Sequence, residues 1–220
     1  MAYTDFLSVI HKSAKRDYLG RVNEYPKAEA IKKAKLYGRD YWDGDRKFGY
    51  GGYRYDGRWQ KVAKAIADYY GLKAGDHVLD VGCGKGFLLY DLMTAVPGIE
   101  VKGIDISPYA IQNAKEEIRP FLRTGNAVSL PYPDKSFDLV ISINTVHNLY
   151  CYDLVKALKE IERVGKKNKY LVVESYRNEE EKTNLMYWVL TGECFFAPAE
   201  WEWFFNLSGY TGDHSFIYFQ

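Results

Sequence analysis

The chain has 220 residues, 47% of them apolar, which is enough for one well-filled domain with modest additions and too little for two. A balance of 30 basic against 29 acidic residues leaves a formal net charge of +1, without the concentration of Lys and Arg that grips a phosphate backbone, so no nucleic-acid partner is expected. No apolar run approaches the ~20 residues of a membrane span. Phe6 to Ile10 is shorter than a signal-peptide core, and Cys83, Cys151 and Cys194 form neither an even disulfide set nor a C-x-x-C pair. The expectations are a reducing, cytoplasmic setting, no membrane contact and, since the four histidines lack ligand spacing, no metal.

Residues 1–58 show no clear strand. Pro26 opens a predicted helix that runs to Leu36, with Gly38 just past its end. From Tyr41 to Trp59, five glycines lie among seven aromatic rings. A flexible linker would lack the rings, so the segment is either an aromatic wrap packed on the domain or a lid over a ligand. Tyr41, Tyr53, Tyr55 and Arg58 are its candidate acceptor contacts. Residues 1–58 are therefore read as a helical extension with a tyrosine- and glycine-rich lid, and 59–220 as the main domain.

Trp59, Val62, Ala63, Ile66 and Tyr70 recur at helical spacing, and Gly71 closes that helix. Strands are predicted at 77–81, 101–105, around 122–125, 137–143 and 169–174. Helices are predicted at about 86–94, 108–118, 153–163, 179–191 and 198–207, the last two forming an aromatic insert over roughly 179–208. Ser107 with Pro108 reads as a cap and first-turn proline, Asp153 and Asn178 as further caps, and Gly209 as a stop. This alternation predicts an α/β fold with a doubly wound, mostly parallel Rossmann-like sheet and helices on both faces. The few residues after Gly209 leave room for one short antiparallel strand near His214 to Phe219, or a very short hairpin.

The stretch from His77 to Phe87 reads as a buried strand, three alternating glycines and a helix start. Gly82 and Gly84 let the backbone take positive φ and approach a ligand, and the free N–H groups of the next helix point into the same crevice. A dinucleotide turn is G-x-G-x-x-G with room for pyrophosphate, whereas this one is G-x-G-x-G with Asp80 two residues ahead of it. That carboxylate repels phosphate and suits a cation such as the ammonium and sulfonium of S-adenosylmethionine. Asp105 lies 23 residues after Gly82 at the end of the next strand, where an acid accepts from ribose hydroxyls.

With Leu79 to Gly86 and Asp105, then Gly125-Asn126-Ala127, Phe137 to Ser142 and Tyr170 to Glu174, the chain resembles the class I S-adenosylmethionine-dependent methyltransferases over roughly residues 60–176. The resemblance implies that Asp80 and the turn of Gly82, Gly84 and Gly86 hold the methionine end, Asp105 the ribose, and Ile106 the adenine face. Asn126, beside Ala127, replaces the more usual aspartate and can both accept from and donate to adenine. Asn144 falls where the methyl group points, unless it only shapes a turn.

His147 is either a general base or a satisfied structural histidine. Glu174 and Tyr176, at the end of the fifth predicted helix-flanked strand, could bind or deprotonate an acceptor. Most rings between Tyr187 and Phe205 have the spacing of a core stripe, while Glu193, Glu200 and Glu202 among them favour a cationic or amine-bearing acceptor. Residues 144–147 are Asn-Thr-Val-His, not the Asn-Pro-Pro-Tyr type of amino-directed DNA methyltransferases, and no thiolate cluster for arsenic exists. The reading is a methyltransferase acting at nitrogen or oxygen of a small molecule, as a monomer or homodimer. Protein or RNA methylation and a catalytically silent S-adenosylmethionine-binding module are the alternatives, with a nicotinamide dehydrogenase third.

Overall fold

In the computed structural model, which describes residues 1–11 and 16–220, short helices lead the chain: α1 (Ser8–His11), α2 (Tyr18–Glu24), α3 (Lys27–Ala34) and α4 (Arg39–Asp43). Helix α5 (Gln60–Tyr70) is amphipathic and ends on Gly71, whose φ of 63° supplies the left-handed cap. The sheet follows as β1 (His77–Val81), α6 (Phe87–Ala95), β2 (Glu100–Asp105), α7 (Pro108–Gln112), β3 (Leu122–Thr124) and β4 (Phe137–Ile143). It continues through α8 (Cys151–Val164), β5 (Gly165–Glu174), α9 (Glu179–Trp188), α10 (Pro198–Ser208) and β6 (Asp213–Ile217).

The strands lie in the order β3-β2-β1-β4-β5-β6, and every pairing is parallel. A parallel sheet is covered on both faces, so its strands are apolar almost throughout. Alternate residues of one strand accordingly serve different cores. Val78, Ile141 and Val172 pack with Val62, Ile66, Leu88 and Leu92 of α5 and α6. Leu79, Val140 and Leu171 pack with Leu154, Leu158, Trp201 and Phe205 of α8 and α10.

The last strand differs from the expectation. β6 runs parallel to β5, with Tyr170 opposite Asp213 and Glu174 opposite Ile217. A parallel neighbour needs a crossover of a dozen or more residues, and α9 and α10 supply it before the short tail begins. The exposed edge of β6 is covered by the N-terminus, through His214 N–H to the Ala2 carbonyl at 3.0 Å and Thr4 N–H to the His214 carbonyl at 2.9 Å.

Other boundaries move for local reasons. The helix predicted to reach 118 stops at Gln112, and the backbone turns through Asn113 to a 3-10 turn at Arg119–Phe121 containing Pro120. Helix α9 stops at Trp188. β5 starts at Gly165, which pairs with Phe137 before a register shift, and Lys169 within it, only 2% exposed, is held inside by Glu162 at 2.7 Å. Ser107 and Asn178 cap α7 and α9, accepting from the N–H groups of Ala110 and Glu181, but Asp153 sits inside the first turn of α8 and caps nothing.

Candidate functional site

Three strand ends build the cleft. After β1 the chain turns at Gly82, Gly84 and Gly86, with φ of 83°, 55° and 72°. A Cβ on Gly82 would lie 1.9 Å from Thr145 Oγ1, so both conformation and space demand glycine there. After β2, each Asp105 oxygen accepts one backbone N–H, from Gly84 and from Ser107, both at 2.8 Å. These bonds fasten the glycine turn to the neighbouring strand and leave Asp105 lone pairs for a ligand. After β4, Asn144 takes a left-handed φ of 54°.

Gly82, Asp105, Ile106, Asn126, Ala127 and Asn144 line one cavity of about 170 Å³. Two buried acceptors on its wall, Asn144 Oδ1 and Asn148 Oδ1, have no hydrogen-bond partner. Unpaired buried acceptors favour a ligand that brings N–H or O–H groups, as an ammonium, an adenine amine and ribose hydroxyls do. Asn126 spends its own carbonyl on the Val128 N–H at 3.1 Å, leaving its amide group to donate. The residues present therefore fit adenosylmethionine.

Asp80, Gly84 and Gly86 do not line this cavity. Asp80 is 4% exposed, and burial first, then the neighbouring Asp105, pushes its carboxyl up to about 8. Gly84 is covered by Trp42, whose ring edge lies 2.9 Å from where a Cβ would stand. Burial also raises Asp105, against the two N–H bonds that favour its charged form.

Residues 41–58 cover the cleft. Trp42 Nε1 donates to Ser107 Oγ at 2.9 Å and to the Tyr37 carbonyl at 3.0 Å, and Tyr50 stacks on the Trp42 ring. Asp43 holds buried Lys85 at 2.7 Å and accepts from the Tyr109 hydroxyl at 2.9 Å. Of the predicted acceptor contacts, Tyr41 and Arg58 line a cavity. Tyr53 instead stacks on Phe87, and the Tyr55 hydroxyl donates to Asp91 at 2.6 Å, so both fasten the segment to α6.

A second cavity, of about 820 Å³, shares Tyr41, Tyr50 and Asn144 with the first. Glu174, at the end of β5, lines it; burial pushes the Glu174 carboxyl up to about 8, and Oε2 has no hydrogen-bond partner. His147 lines neither cavity. It is 2% exposed and burial lowers it to about 3, so it is neutral. Its Nδ1 accepts the Glu174 N–H at 3.4 Å, which places the proton on Nε2, 3.4 Å from Glu174 Oε2. With a neutral ring that contact is a dipole beside the carboxyl and not an ion pair. Tyr176 also lines neither cavity, packing against the α5 and α6 side of the core.

The acids expected to favour a cationic acceptor lie elsewhere. Glu193 pairs with Lys35, Glu200 accepts the Ala197 N–H at the start of α10, and Glu202 is exposed. Of the rings beside them, Trp188 lines the larger cavity, while Trp201 and Phe205 are core. Sequence reasoning did not single out Arg16, Arg21 and Arg46 in the larger cavity, or Tyr37, Tyr50 and Asn148 in the smaller. No spacing links Arg21 to Trp188, which are 167 residues apart and joined by a 2.9 Å hydrogen bond. Among the described residues no cluster of His, Cys, Asp and Glu could hold a metal ion, and no helix is long and apolar enough to cross a membrane.

A parallel sheet with a glycine turn after β1 and an acid closing β2 defines a Rossmann-like α/β protein with a nucleoside cleft at its strand ends. Residues 72–209 match the methyltransferase domain family, and the chain belongs to it. It is 34% identical to the demethylmenaquinone methyltransferase of Symbiobacterium thermophilum over 118 residues, 50% of this chain and 46% of that protein. It is 32% identical to the 27-O-demethylrifamycin SV methyltransferase of Amycolatopsis mediterranei over 40% of this chain and 35% of that one. The chain thus spans less than half the length of either relative. Among solved structures, a chain of the Haloferax volcanii complex that contains the Trm112 methyltransferase activator superposes with a TM-score of 0.54. That match has 25% identity and covers 67% of this chain and 71% of that one.

Proposed function

We propose that the chain transfers a methyl group from S-adenosylmethionine to nitrogen or oxygen of a small-molecule acceptor. One observation carries this reading: the cleft lined by Asp105, Asn126 and Gly82 shares Asn144, Tyr41 and Tyr50 with a larger cavity that carries Glu174. The demethylated small molecules in the names of the two relatives support the acceptor class.

When bound, the cofactor supplies an activated methyl group on a sulfonium sulfur. Asp105 would hold its ribose hydroxyls, Ile106 and Ala127 the adenine faces, the Asn126 amide the adenine edge, and the Gly82 backbone the methionine end; Asp80, buried outside this cavity, is assigned to the ammonium by its place two residues ahead of Gly82. Asn144 stands at the junction of the two cavities, where its unpaired Oδ1 orients the reacting groups. Alignment and exclusion of water carry most of such a reaction, and residues 41–58 act as the lid that provides both. Glu174 takes the acceptor's proton where one must leave. His147 is a positioning residue that accepts from the Glu174 backbone N–H and faces its carboxyl, the structural one of the two roles read from the sequence.

The test is a transfer assay with labelled S-adenosylmethionine against separate pools of small metabolites, peptides and RNA. Label in the small-molecule pool is expected. Label only in peptide or RNA would move the acceptor class to macromolecules, and binding without transfer in any pool would favour a silent module. Calorimetry with S-adenosylhomocysteine and NAD separates the cofactor classes; tight NAD binding alone would refute the reading.

A further inference from the structure

Taking the larger cavity as the acceptor site proposed above, we infer that the acceptor carries an anionic group, a carboxylate or a phosphate, which binds between the guanidinium groups of Arg21 and Arg46. Both groups lie over the Trp188 ring, with Cζ 4.6 Å and 5.0 Å from its centroid, and both line the cavity. Arg21 comes from α2 and Arg46 from the 3-10 turn after α4, so two separate elements deliver cations to one wall.

The described residues pair neither with a carboxylate, although Glu24 acts on Arg21 from beyond ion-pair distance. Arg21 donates to the carbonyls of Trp188 at 2.9 Å and Arg46 at 3.1 Å, and Arg46 donates to the Gly49 carbonyl. Among the described residues neither has a carboxylate within ion-pair distance. The nearby acid Asp56 is taken by Arg58 at 2.6 Å, and Glu174 favours its protonated form at neutral pH. A guanidinium has five N–H donors, so each arginine keeps several for a ligand.

Two like charges held together against an indole, facing a walled cavity, repel one another; burial first and then Arg46 lower Arg21 to about 10. An oxyanion relieves this repulsion and accepts from both forks, the geometry in which arginine binds carboxylate and phosphate most strongly. The cavity volume of about 820 Å³ leaves room for the rest of a metabolite beside the anion.

Pyrophosphate and citrate, titrated at fixed ionic strength into the full chain, test the phosphate and carboxylate arms. At least one is expected to bind, and Arg46→Gln to weaken that binding tenfold or more; Arg21→Gln should do the same. S-adenosylhomocysteine affinity, measured on the same samples, is expected to hold within about twofold and so shows that each variant is folded. Arg46 faces solvent in the cavity, so its variant keeps the test open where Arg21→Gln unfolds. No binding of either anion, or binding that survives both substitutions, overturns the inference, as does label transfer confined to cationic or neutral acceptors. Anion binding without S-adenosylhomocysteine binding would instead refute the methyltransferase reading and leave the anion site standing.

Discussion

Asp80 should be a liability to the folded protein that the cofactor removes, and Asp80→Asn separates the two effects. The carboxyl is 4% exposed, and burial beside Asp105 lifts it to about 8. The sign follows from proton counting: between about pH 4 and pH 8 the folded chain keeps a proton that the unfolded chain has released, so stability falls as pH rises through that window. At pH 7.5, carried back to the ordinary carboxyl value, the cost has an upper limit of about 5 kcal/mol. Water entering the cleft reduces it, and about 2 kcal/mol is a reasonable expectation; for a chain of this size that is a rise of roughly 4–8 °C in Tm for Asp80→Asn. At pH 4.5 the gain should nearly vanish. The same substitution should weaken S-adenosylhomocysteine by roughly 1.5–3 kcal/mol, since a charged hydrogen-bond acceptor for the ammonium is lost. Differential scanning fluorimetry at the two pH values, with calorimetry at pH 7.5, measures all of this. An equal Tm change at both pH values, or unaltered binding, would refute the reasoning.

Glu174 reaches its carboxylate form only as pH rises through about 8, so turnover on an acceptor that must lose a proton should climb through that value. Glu174→Gln should flatten the climb and cost roughly 10²- to 10⁴-fold in kcat, and a flat wild-type profile would remove Glu174 as the base. Gly82→Ala forces a Cβ to within 1.9 Å of Thr145 Oγ1 at positive φ, and should lower stability by about 2 kcal/mol or more and abolish cofactor binding; urea denaturation and calorimetry check this. Asp43→Ala strands the Lys85 ammonium, 4% exposed, without its partner, and should cost about 2–4 kcal/mol. Hydrogen exchange should then show residues 41–58 losing protection, and unchanged exchange there would mean that Asp43 does not hold the lid.

Much of the sheet was legible because its signals are local. Apolar runs at 77–81 and 137–143, the capping Ser107 and the stops at Gly71 and Gly209 each act within a few residues of where they stand. The direction of β6 was not local: it follows from the whole crossover through α9 and α10. Asp80, Asp105 and the glycines could be named because their spacing along the chain is a fixed consequence of the strand-turn-helix unit. The role of His147 stayed open because its sequence position, just beyond a strand end, says nothing of the Glu174 backbone N–H that its ring accepts. The arginine pair was invisible for the same reason, as was the meeting of Cys151 and Cys194, whose sulfurs lie 3.8 Å apart as thiols although 43 residues separate them.

The segment proposed as a lid, residues 41–58, touches both cavities. Tyr41 and Tyr50 wall both, and Trp42 between them rests on the glycine turn with its indole N–H on Ser107, at the start of α7. The smaller cavity has about 170 Å³, below the roughly 300–1,000 Å³ of pockets that enclose a drug-sized ligand. If residues 41–58 are the proposed lid, admitting the whole cofactor would lift Trp42 together with Tyr41 and Tyr50, which pack on that ring. Arg46 and Arg58 belong to the same segment, so such a lid would complete the cationic wall of the larger cavity only on its return. On that reading cofactor entry would precede assembly of the acceptor site, and an acceptor bound under the lid would hold the cofactor in place until transfer is over.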